Sequence, residues 1–273
     1  MTGASVPSTV GGVRWVVAGA KGGSGKTTLA VSVAGVLAEG STRDRAGLGR
    51  RVLVVDLDPQ AAATAALGAT CPAGGGVYSV LVSGADASGA VVASRTPGID
   101  VLPASAALAG AALELPRRDG WQVRLRDVLD GLGGAWDDVV IDTPPGLGVL
   151  SMVGLVAARW ALVPTPPEWA SVRLVDETLA TVERARSIAG SDLAVLGVVA
   201  WRVGRRTLHR DEALGALSAR WSQLLLDGAI PERVAYAEAS LDGLPVTAYL
   251  PASPAAAAVR DLTKEILTRA SSS

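Results

Sequence analysis

A glycine-rich segment with two lysines and several hydroxyl side chains, residues 21–28, follows an apolar run near the start of the chain. Its glycines allow the backbone to turn successive N–H groups toward an anion, and a helix beginning near Lys26 would add its positive end. Lys26 supplies a positive charge for the terminal phosphates of a nucleoside triphosphate, and the hydroxyl of Thr27 can bind Mg²⁺. The predicted phosphate-binding residues are Gly22, Gly23, Ser24, Gly25, Lys26, Thr27 and Thr28.

This segment departs from the usual spacing of a phosphate-binding loop at one position. The pattern G-x-x-x-x-G-K-[ST] requires glycine at position 20, where this chain has Ala20, and a second lysine, Lys21, comes directly after it. The alternative is an ordinary glycine-rich turn between a strand and a helix, with two surface lysines. Seven specified residues between a predicted strand and a predicted helix favour the phosphate-binding loop.

Acidic residues end two further apolar runs. Asp142 closes the run Asp138–Asp142, at the point where a carboxylate that holds Mg²⁺, directly or through water, is expected. Asp56 closes the run at residues 51–56, and Asp58 follows two residues later. Because parallel strands end at the same edge of a sheet, these carboxylates are predicted to lie beside the phosphate-binding loop. A pair of aspartates that caps a helix is the alternative for the second run.

These residues need a scaffold of alternating strands and helices, and the apolar pattern predicts one. Buried parallel strands are predicted at residues 13–18, 51–56, 99–102, 138–142, 161–163 and 193–200. Helices are predicted at residues 26–37, 122–132, 172–188, 211–226 and 254–269. The alternation predicts an α/β fold with a doubly wound, mostly parallel sheet flanked by helices, as in P-loop NTPases. We expect one domain over residues 13–270, after a flexible tail over residues 1–12.

Composition restricts the classes of protein to which the chain can belong. Over 273 residues the formal net charge is −1, so no global field draws the protein to nucleic acid or to an anionic membrane. The single cysteine, Cys71, excludes an internal disulfide framework and a CxxC metal or redox motif within one chain. No stretch approaches the roughly 18 uninterrupted apolar residues of a membrane-spanning helix. A cytoplasmic protein without membrane attachment is therefore expected.

Together the motifs resemble the ParA/MinD superfamily of ATPases with a deviant Walker A box. The sequence K-G-G-S-G-K-T at residues 21–27 resembles that box, and D-L-D-P-Q at residues 56–60 resembles the D-x-D-P-Q switch segment of ParA proteins. Residues 237–245 are similar to the S-E-A-P-S-x-G-K-P stretch of the family. The resemblance covers about residues 13–267 and is closest to the small chromosomal-type, Soj-like ParA proteins.

The resemblance implies that the protein binds ATP with Mg²⁺, forms a homodimer around the nucleotide and hydrolyses it. Lys21 would then reach across the dimer to the nucleotide of the partner subunit. By the same resemblance Asp58 orients the attacking water, and Asp56 supports the coordination shell of the metal. The implied catalytic residues are Lys21, Lys26 and Asp58, and the implied metal-site residues are Thr27, Asp56 and Asp142. Pro231 joins the nucleotide site through its likeness to the I-P-R stretch of the family.

The same resemblance implies partners at the nucleoid. In the family, ATP-bound dimers coat DNA without sequence specificity, and a ParB-like protein triggers hydrolysis, which partitions a chromosome or plasmid. Contacts with DNA phosphates require a local basic surface. The candidate residues are Arg202, Arg205, Arg206, Arg210 and Arg233. A solvated loop is the alternative for this cluster, and Arg202 could instead line the adenine pocket.

Other functions stay open at this point. A ParA-like ATPase could position a protein cargo with a different activating partner, and a P-loop metabolic ligase of the dethiobiotin or cobyrinate synthetase kind shares the fold. Such a ligase requires a site for a small-molecule carboxylate, which the sequence does not reveal. In the last predicted helix, Asp261 and Glu265 offset the basic residues, so packing on the body of the protein is favoured over membrane attachment.

Overall fold

The computed structural model describes residues 12–39, 50–190, 192–204 and 207–272. Its strands are β1 (Val13–Val17), β2 (Val52–Asp56), β3 (Val92–Ala93), β4 (Ile99–Leu102), β5 (Asp138–Asp142), β6 (Trp160–Thr165), β7 (Ala194–Val203) and β8 (Ile230–Pro231). Within these residues they form a sheet in the order β3-β4-β2-β5-β1-β6-β7-β8. Every neighbouring pair is parallel except the edge pair of β3 and β4. The predicted doubly wound, mostly parallel sheet is confirmed.

Helices connect the strands and cover both faces of the sheet. They are α1 (Lys26–Ala38), α2 (Ala62–Ala66), α3 (Gly76–Tyr78), α4 (Ala87–Ala90), α5 (Leu108–Glu114), α6 (Arg124–Gly131), α7 (Val149–Ala157), α8 (Trp169–Ala189), α9 (Leu208–Trp221), α10 (Ala235–Leu241), α11 (Val246–Tyr249) and α12 (Pro254–Ser272). Shorter helical turns of the 3₁₀ or π type lie at Ser79–Ser83, Leu115–Arg117 and Trp121–Val123.

Two hydrophobic layers enclose the sheet because successive side chains of a strand point to opposite faces. Val52 and Val54 of β2 pack on the face covered by α1 and α12. Leu53 and Val55 of the same strand pack on the opposite face, with residues of α6 and α7. Every residue of β2 and of β5 is buried. The continuous apolar character of these runs therefore reflects burial from both sides.

The end of α9 is the clearest difference between the predicted and observed elements. A helix was expected through residue 226, whereas α9 ends at Trp221. The Leu224 carbonyl accepts from the Val198 N–H at 2.8 Å, and the Leu226 N–H donates to the Val198 carbonyl at 2.9 Å. This apolar segment therefore forms a single parallel bridge to β7, at Leu225, instead of continuing the helix. An apolar run of three residues fits the periodicity of a helix and that of a strand equally well. The sequence pattern therefore extended the helix too far.

The strand register brings the predicted carboxylates to one edge of the sheet. Asp142 lies opposite Val17 in the β1–β5 pair and opposite Asp56 in the β2–β5 pair. The glycine-rich segment begins directly after β1. The three strand ends therefore meet, and the segments that follow them surround a common space.

The two ends of the chain concern the predicted N-terminal tail and the predicted packing of the last helix. The predicted tail, residues 1–12, falls outside the described residues except for Gly12. Helix α12 buries one face, which includes Val259, Leu262 and Ile266, in the hydrophobic layer on α1. Across residues 12–39, 50–190, 192–204 and 207–272, no helix has both the length and the apolar character needed to cross a membrane.

Candidate functional site

The glycine-rich segment forms a tight loop between β1 and α1. Gly23 and Gly25 adopt left-handed backbone conformations, with φ of 71° and 90°. The Leu29 N–H donates to the Gly25 carbonyl at 2.8 Å, which starts the first turn of α1. No side chain caps this N-terminus, and its first turn has no acidic residue. The N-terminal N–H groups of α1 thus face the loop, as a phosphate site requires.

Trp201, at the end of β7, packs directly against this loop. A Cβ atom added to Gly25 would lie only 2.0 Å from Nε1 of Trp201, so a side chain at position 25 would collide with the indole. Trp201 also packs against the ring of Tyr236, with a centroid distance of 5.6 Å. Both aromatic residues line the cleft in front of the loop. Neither was predicted, because nothing in the local sequence relates residues of β7 or α10 to a loop so much earlier in the chain.

The two lysines of the loop have different surroundings. Lys26 is buried, and its Nζ donates to the carbonyl of Lys21 at 2.9 Å. Burial lowers the pKa of the Lys26 ammonium, while Asp142 and Asp58 act in the opposite direction. Lys21 instead turns its ammonium to Glu168, immediately before α8. Lys26 therefore belongs to the chain's own phosphate site, and Lys21 faces away from it.

Thr27 and Asp142 form the candidate magnesium site. The Thr27 hydroxyl donates to Oδ2 of Asp142 at 2.7 Å, although the two residues are 115 positions apart. Asp142 is fully buried, and burial, followed by the nearby Asp56, raises its pKa well above the usual value. The other carboxylate oxygen of Asp142, Oδ1, is buried without a hydrogen-bond partner. An acceptor left unsatisfied in this way beside a threonine hydroxyl fits a hydrated Mg²⁺ ion.

Asp56 organises the segment that carries Asp58. Its Oδ1 accepts from the Asp58 N–H at 3.0 Å, and its Oδ2 accepts from the N–H and the hydroxyl of Thr64 at 2.8 and 2.7 Å. Burial raises the pKa of Asp56. Asp58 accepts from the Gln60 N–H at 2.9 Å and lines the cleft. Asp56 is therefore engaged with protein donors through both oxygens, whereas Asp58 faces the space in front of the loop.

An open cleft of ≈ 680 Å³ joins these elements. Its lining brings together seven residues predicted for the nucleotide or its hydrolysis, namely Gly23, Gly25, Lys26, Thr27, Thr28, Asp58 and Pro231. Gly22 lies next to this lining, because a Cβ at that position would be 3.8 Å from Pro145. Ser24 is buried with its hydroxyl unpaired. The volume lies within the range of small-molecule sites, about 300–1,000 Å³.

The described arginines of the predicted DNA-binding cluster, Arg202, Arg210 and Arg233, all have partners within the chain. Arg202 has a left-handed φ of 55°, lines the nucleotide cleft and pairs with Glu232 at 2.6 Å. Arg233 lines the same cleft and donates to the Glu232 carbonyl at 3.0 Å. Arg210 is bound to Asp211 and to the Gly204 carbonyl. Arg205 and Arg206 lie outside the described residues. Arg202 thus lies at the nucleotide cleft, where its alternative assignment to the adenine pocket would place it. The DNA role of the cluster stays a prediction.

A glycine cradle at the N-terminus of a helix, faced by a buried strand-end aspartate bonded to the first-turn threonine, defines a P-loop nucleotide hydrolase. Comparisons with known proteins narrow this class. The AAA domain family model matches residues 15–195. The chain belongs to this family and to the ParA/MinD superfamily of ATPases.

Named relatives support this assignment over nearly the whole chain. The chromosome-partitioning ATPase Soj of Thermus thermophilus is 36% identical over 94% of this chain and 96% of its own length. The sporulation initiation inhibitor protein Soj of Bacillus subtilis is 32% identical over 90% and 94%.

Solved structures agree. The cell division ATPase MinD of Pyrococcus furiosus superimposes with a TM-score of 0.76 at 27% identity, over 94% of this chain and 99% of that one. Cobyrinic acid a,c-diamide synthase of Mycobacterium smegmatis, solved with ADP and magnesium, gives a TM-score of 0.79 at 33% identity, over 93% and 94%.

The protein is accordingly an ATP hydrolase that uses ATP and Mg²⁺. When bound, Mg²⁺ neutralises charge that develops on the phosphate oxygens. Thr27 and Asp142 are the residues that would hold it, directly or through water. Lys26 and the loop N–H groups would bind the phosphates, and the aromatic pair Trp201 and Tyr236 lines the same cleft.

Proposed function

We propose that this ATPase dimerises with ATP and Mg²⁺, binds DNA without sequence specificity and hydrolyses ATP when a ParB-like partner activates it. Its role would be the partition of a chromosome or plasmid, in the cytoplasm and at the nucleoid. The observation that carries the proposal is the outward direction of Lys21, which is in the phosphate-binding loop but turns away from its own cleft. The names of the Soj relatives support the same role.

The proposed chemistry needs no covalent intermediate, because phosphoryl transfer is accelerated mainly by positioning and by charge stabilisation. Asp58 would orient the attacking water from the cleft wall, since one of its oxygens is fixed by the Gln60 N–H. Asp56 would keep Asp58 in place by accepting from its N–H group. The indirect role of Asp56 at the metal follows from the engagement of both its oxygens.

Hydrolysis in this proposal requires two subunits. Lys26 is the lysine that lines the cleft among the described residues, and Lys21 remains outside it. A second positive charge at the transferring phosphoryl group, comparable to an arginine finger, would have to come from the Lys21 of a second copy. Slow hydrolysis by isolated subunits is the consequence.

A metabolic ligase is the second candidate, because the Mycobacterium smegmatis synthase is 33% identical to this chain. Positioning of a protein cargo is a third possibility within the same family. DNA binding separates the first function from the ligase, and the activating partner separates it from a cargo-positioning ATPase. The requirement for a small-molecule carboxylate then separates the ligase from a cargo-positioning ATPase.

Sedimentation and gel mobility shift with a nonspecific duplex, each with ATP, with ADP and without nucleotide, test the proposal. We expect dimers and DNA binding in the presence of ATP, and neither with ADP nor without nucleotide. Lys26→Ala should lose both dimerisation and DNA binding. Dimers with ATP but no DNA binding in any state would favour the cargo function. Absence of dimers together with ATP turnover that depends on an added carboxylate would favour the ligase.

A further inference from the structure

An ion pair connects the phosphate-binding loop to the start of α8. Lys21 Nζ contacts Oε2 of Glu168, and the side chains are 35% and 53% exposed. The two residues are 147 positions apart in the chain. They meet because β1, which precedes the loop, lies next to β6, which precedes Glu168. The contact therefore results from the strand order of the sheet. It could not be predicted from the sequence around Lys21 or around Glu168.

The backbone around Glu168 is well fixed. Its N–H donates to the Pro166 carbonyl at 2.8 Å, and its own carbonyl accepts from the Ser171 N–H at 2.9 Å. The Ser171 hydroxyl also donates to Pro166, at 2.5 Å. The carboxylate thus extends from a stable turn at the edge of the site. It provides a counter-charge at a defined distance from the loop.

We propose that Glu168 is a positioning residue, which holds Lys21 withdrawn in the isolated subunit and releases it to the triphosphate of a second copy. This inference rests on the proposed function, since it requires Lys21 to act on the nucleotide of the partner subunit. Glu168 is not among the residues that line the nucleotide cleft. It acts only through the lysine.

The competition between the two anions sets the expected size of the effect. An ion pair between exposed side chains contributes little, because water screens it. A triphosphate carries several negative charges and forms stronger, charge-assisted hydrogen bonds. The phosphates should therefore displace Glu168 from Lys21. The ion pair weakens association of the subunits but does not prevent it. Removing the carboxylate charge should favour ATP-dependent association by about two- to fivefold.

The ion pair itself can be tested without nucleotide. We expect Glu168→Gln to increase acetylation of Lys21 by an N-hydroxysuccinimide ester at least about twofold, measured by mass spectrometry against Lys264 in the same sample. Glu177→Gln is the matched control, since Glu177 is on α8, the helix that Glu168 precedes, and pairs with Arg173. Equal labelling of Lys21 in wild type and Glu168→Gln would overturn the proposal.

Sedimentation with ATP and Mg²⁺ tests the consequence. Glu168→Gln should form dimers at a lower protein concentration than wild type or Glu177→Gln, and this difference should vanish in a Lys21→Gln background. If wild type dimerises and Glu168→Gln behaves identically, the positioning role is overturned while the proposed function stands. If the difference persists without Lys21, Glu168 acts by another route and the proposal is also wrong. Wild type that stays monomeric with ATP would overturn both.

Discussion

Among individual residues, Asp142 has a negative charge that folding disfavours and that metal binding would require. It is fully buried, and burial together with the neighbouring Asp56 raises its pKa. In the metal-free protein its negative charge is therefore unfavourable. The same position, beside the Thr27 hydroxyl, is what Mg²⁺ requires. A carboxylate that disfavours folding in this way fits the metal-binding role predicted for Asp142.

Asp142→Asn should separate these two effects. Asparagine retains an oxygen that accepts from Thr27 but carries no charge, so the melting temperature in EDTA should rise, by about 2–4 °C per kcal/mol gained. The stabilisation by ATP with Mg²⁺, about 2.7 kcal/mol at a hundredfold excess over Kd, should be lost. Scanning fluorimetry measures both. Asp127→Asn, exposed on α6, should change neither value. Undiminished stabilisation by ATP with Mg²⁺ would contradict the assignment.

Gly25 and Gly23 provide a matched pair within the loop. Both have positive φ, so alanine costs about 1–2 kcal/mol at either position. At Gly25 the new Cβ would also collide with Trp201, whereas nothing lies within 4 Å of a Cβ at Gly23. We expect Gly25→Ala to lose ATP binding, measured by calorimetry, and Gly23→Ala to bind more weakly but measurably. Equal loss in both variants would show that the collision is not decisive.

Whether the role of a single residue could be predicted depends on how far apart in sequence the contacting residues are. Lys26, Thr27 and Asp142 could be recognised because their types and spacing within short segments have a chemical meaning. Glu168 and Trp201 could not, since each contacts the phosphate-binding loop although it is far from that loop in sequence. Side chains that surround a motif are selected by packing, which has no short-range pattern.

Elements were predictable to the extent that burial imposes a pattern. The predicted strands at residues 99–102 and 138–142 match β4 and β5, since apolar residues predominate in both segments. The two-residue strands β3 and β8 were not predicted, because two residues are too few to establish a period. Helix α7 was also missed. It is buried along nearly its entire length, so it lacks the polar face that marks a surface helix.

The first residue of β5 makes the stability of the central strands depend on pH. Asp138 is fully buried, accepts from Trp15 Nε1 at 2.8 Å and from Arg50 at 3.0 Å. Burial raises its pKa from 3.8 to about 6, although Arg50 opposes the change. Because the folded pKa exceeds the unfolded one, the protonated carboxyl stabilises the fold below pH 3.8. That contribution is lost as the pH rises through about 6.

Asp138→Asn should remove this dependence. The wild-type free energy of unfolding should fall relative to the variant between about pH 4 and pH 6, by at most about 3 kcal/mol. Urea unfolding across this pH range measures the difference. Asp130→Asn, whose exposed carboxylate contacts Arg14, serves as the control and should track wild type. Parallel profiles for wild type and Asp138→Asn would contradict the origin given for the raised pKa.

At the scale of the whole molecule, the nearly balanced charge limits how DNA can be bound. A net charge of −1 provides no general attraction, so affinity must arise from a few local contacts. Each neutralised phosphate contributes about 0.9 to the slope of log K against log salt. Among the described arginines of the predicted cluster, Arg202, Arg210 and Arg233 all have acidic or carbonyl partners. Arg205 and Arg206 are therefore the arginines on which the DNA prediction chiefly depends.

Replacing Arg205 and Arg206 together by alanine should weaken DNA binding by the ATP-bound protein and flatten its salt dependence. Loss of two phosphate contacts per subunit should reduce the slope by about 1.8, or about 3.6 for a dimer. Fluorescence anisotropy of a labelled duplex at several salt concentrations measures the slope. Arg220→Ala on α9, where Arg220 pairs with Asp176, is the control and should leave the slope unchanged. We expect equal ATP affinity in all three proteins, because the prediction assigns Arg205 and Arg206 to DNA and Arg220 pairs with Asp176 on α8. An unaltered slope in the double variant would assign DNA binding to another surface.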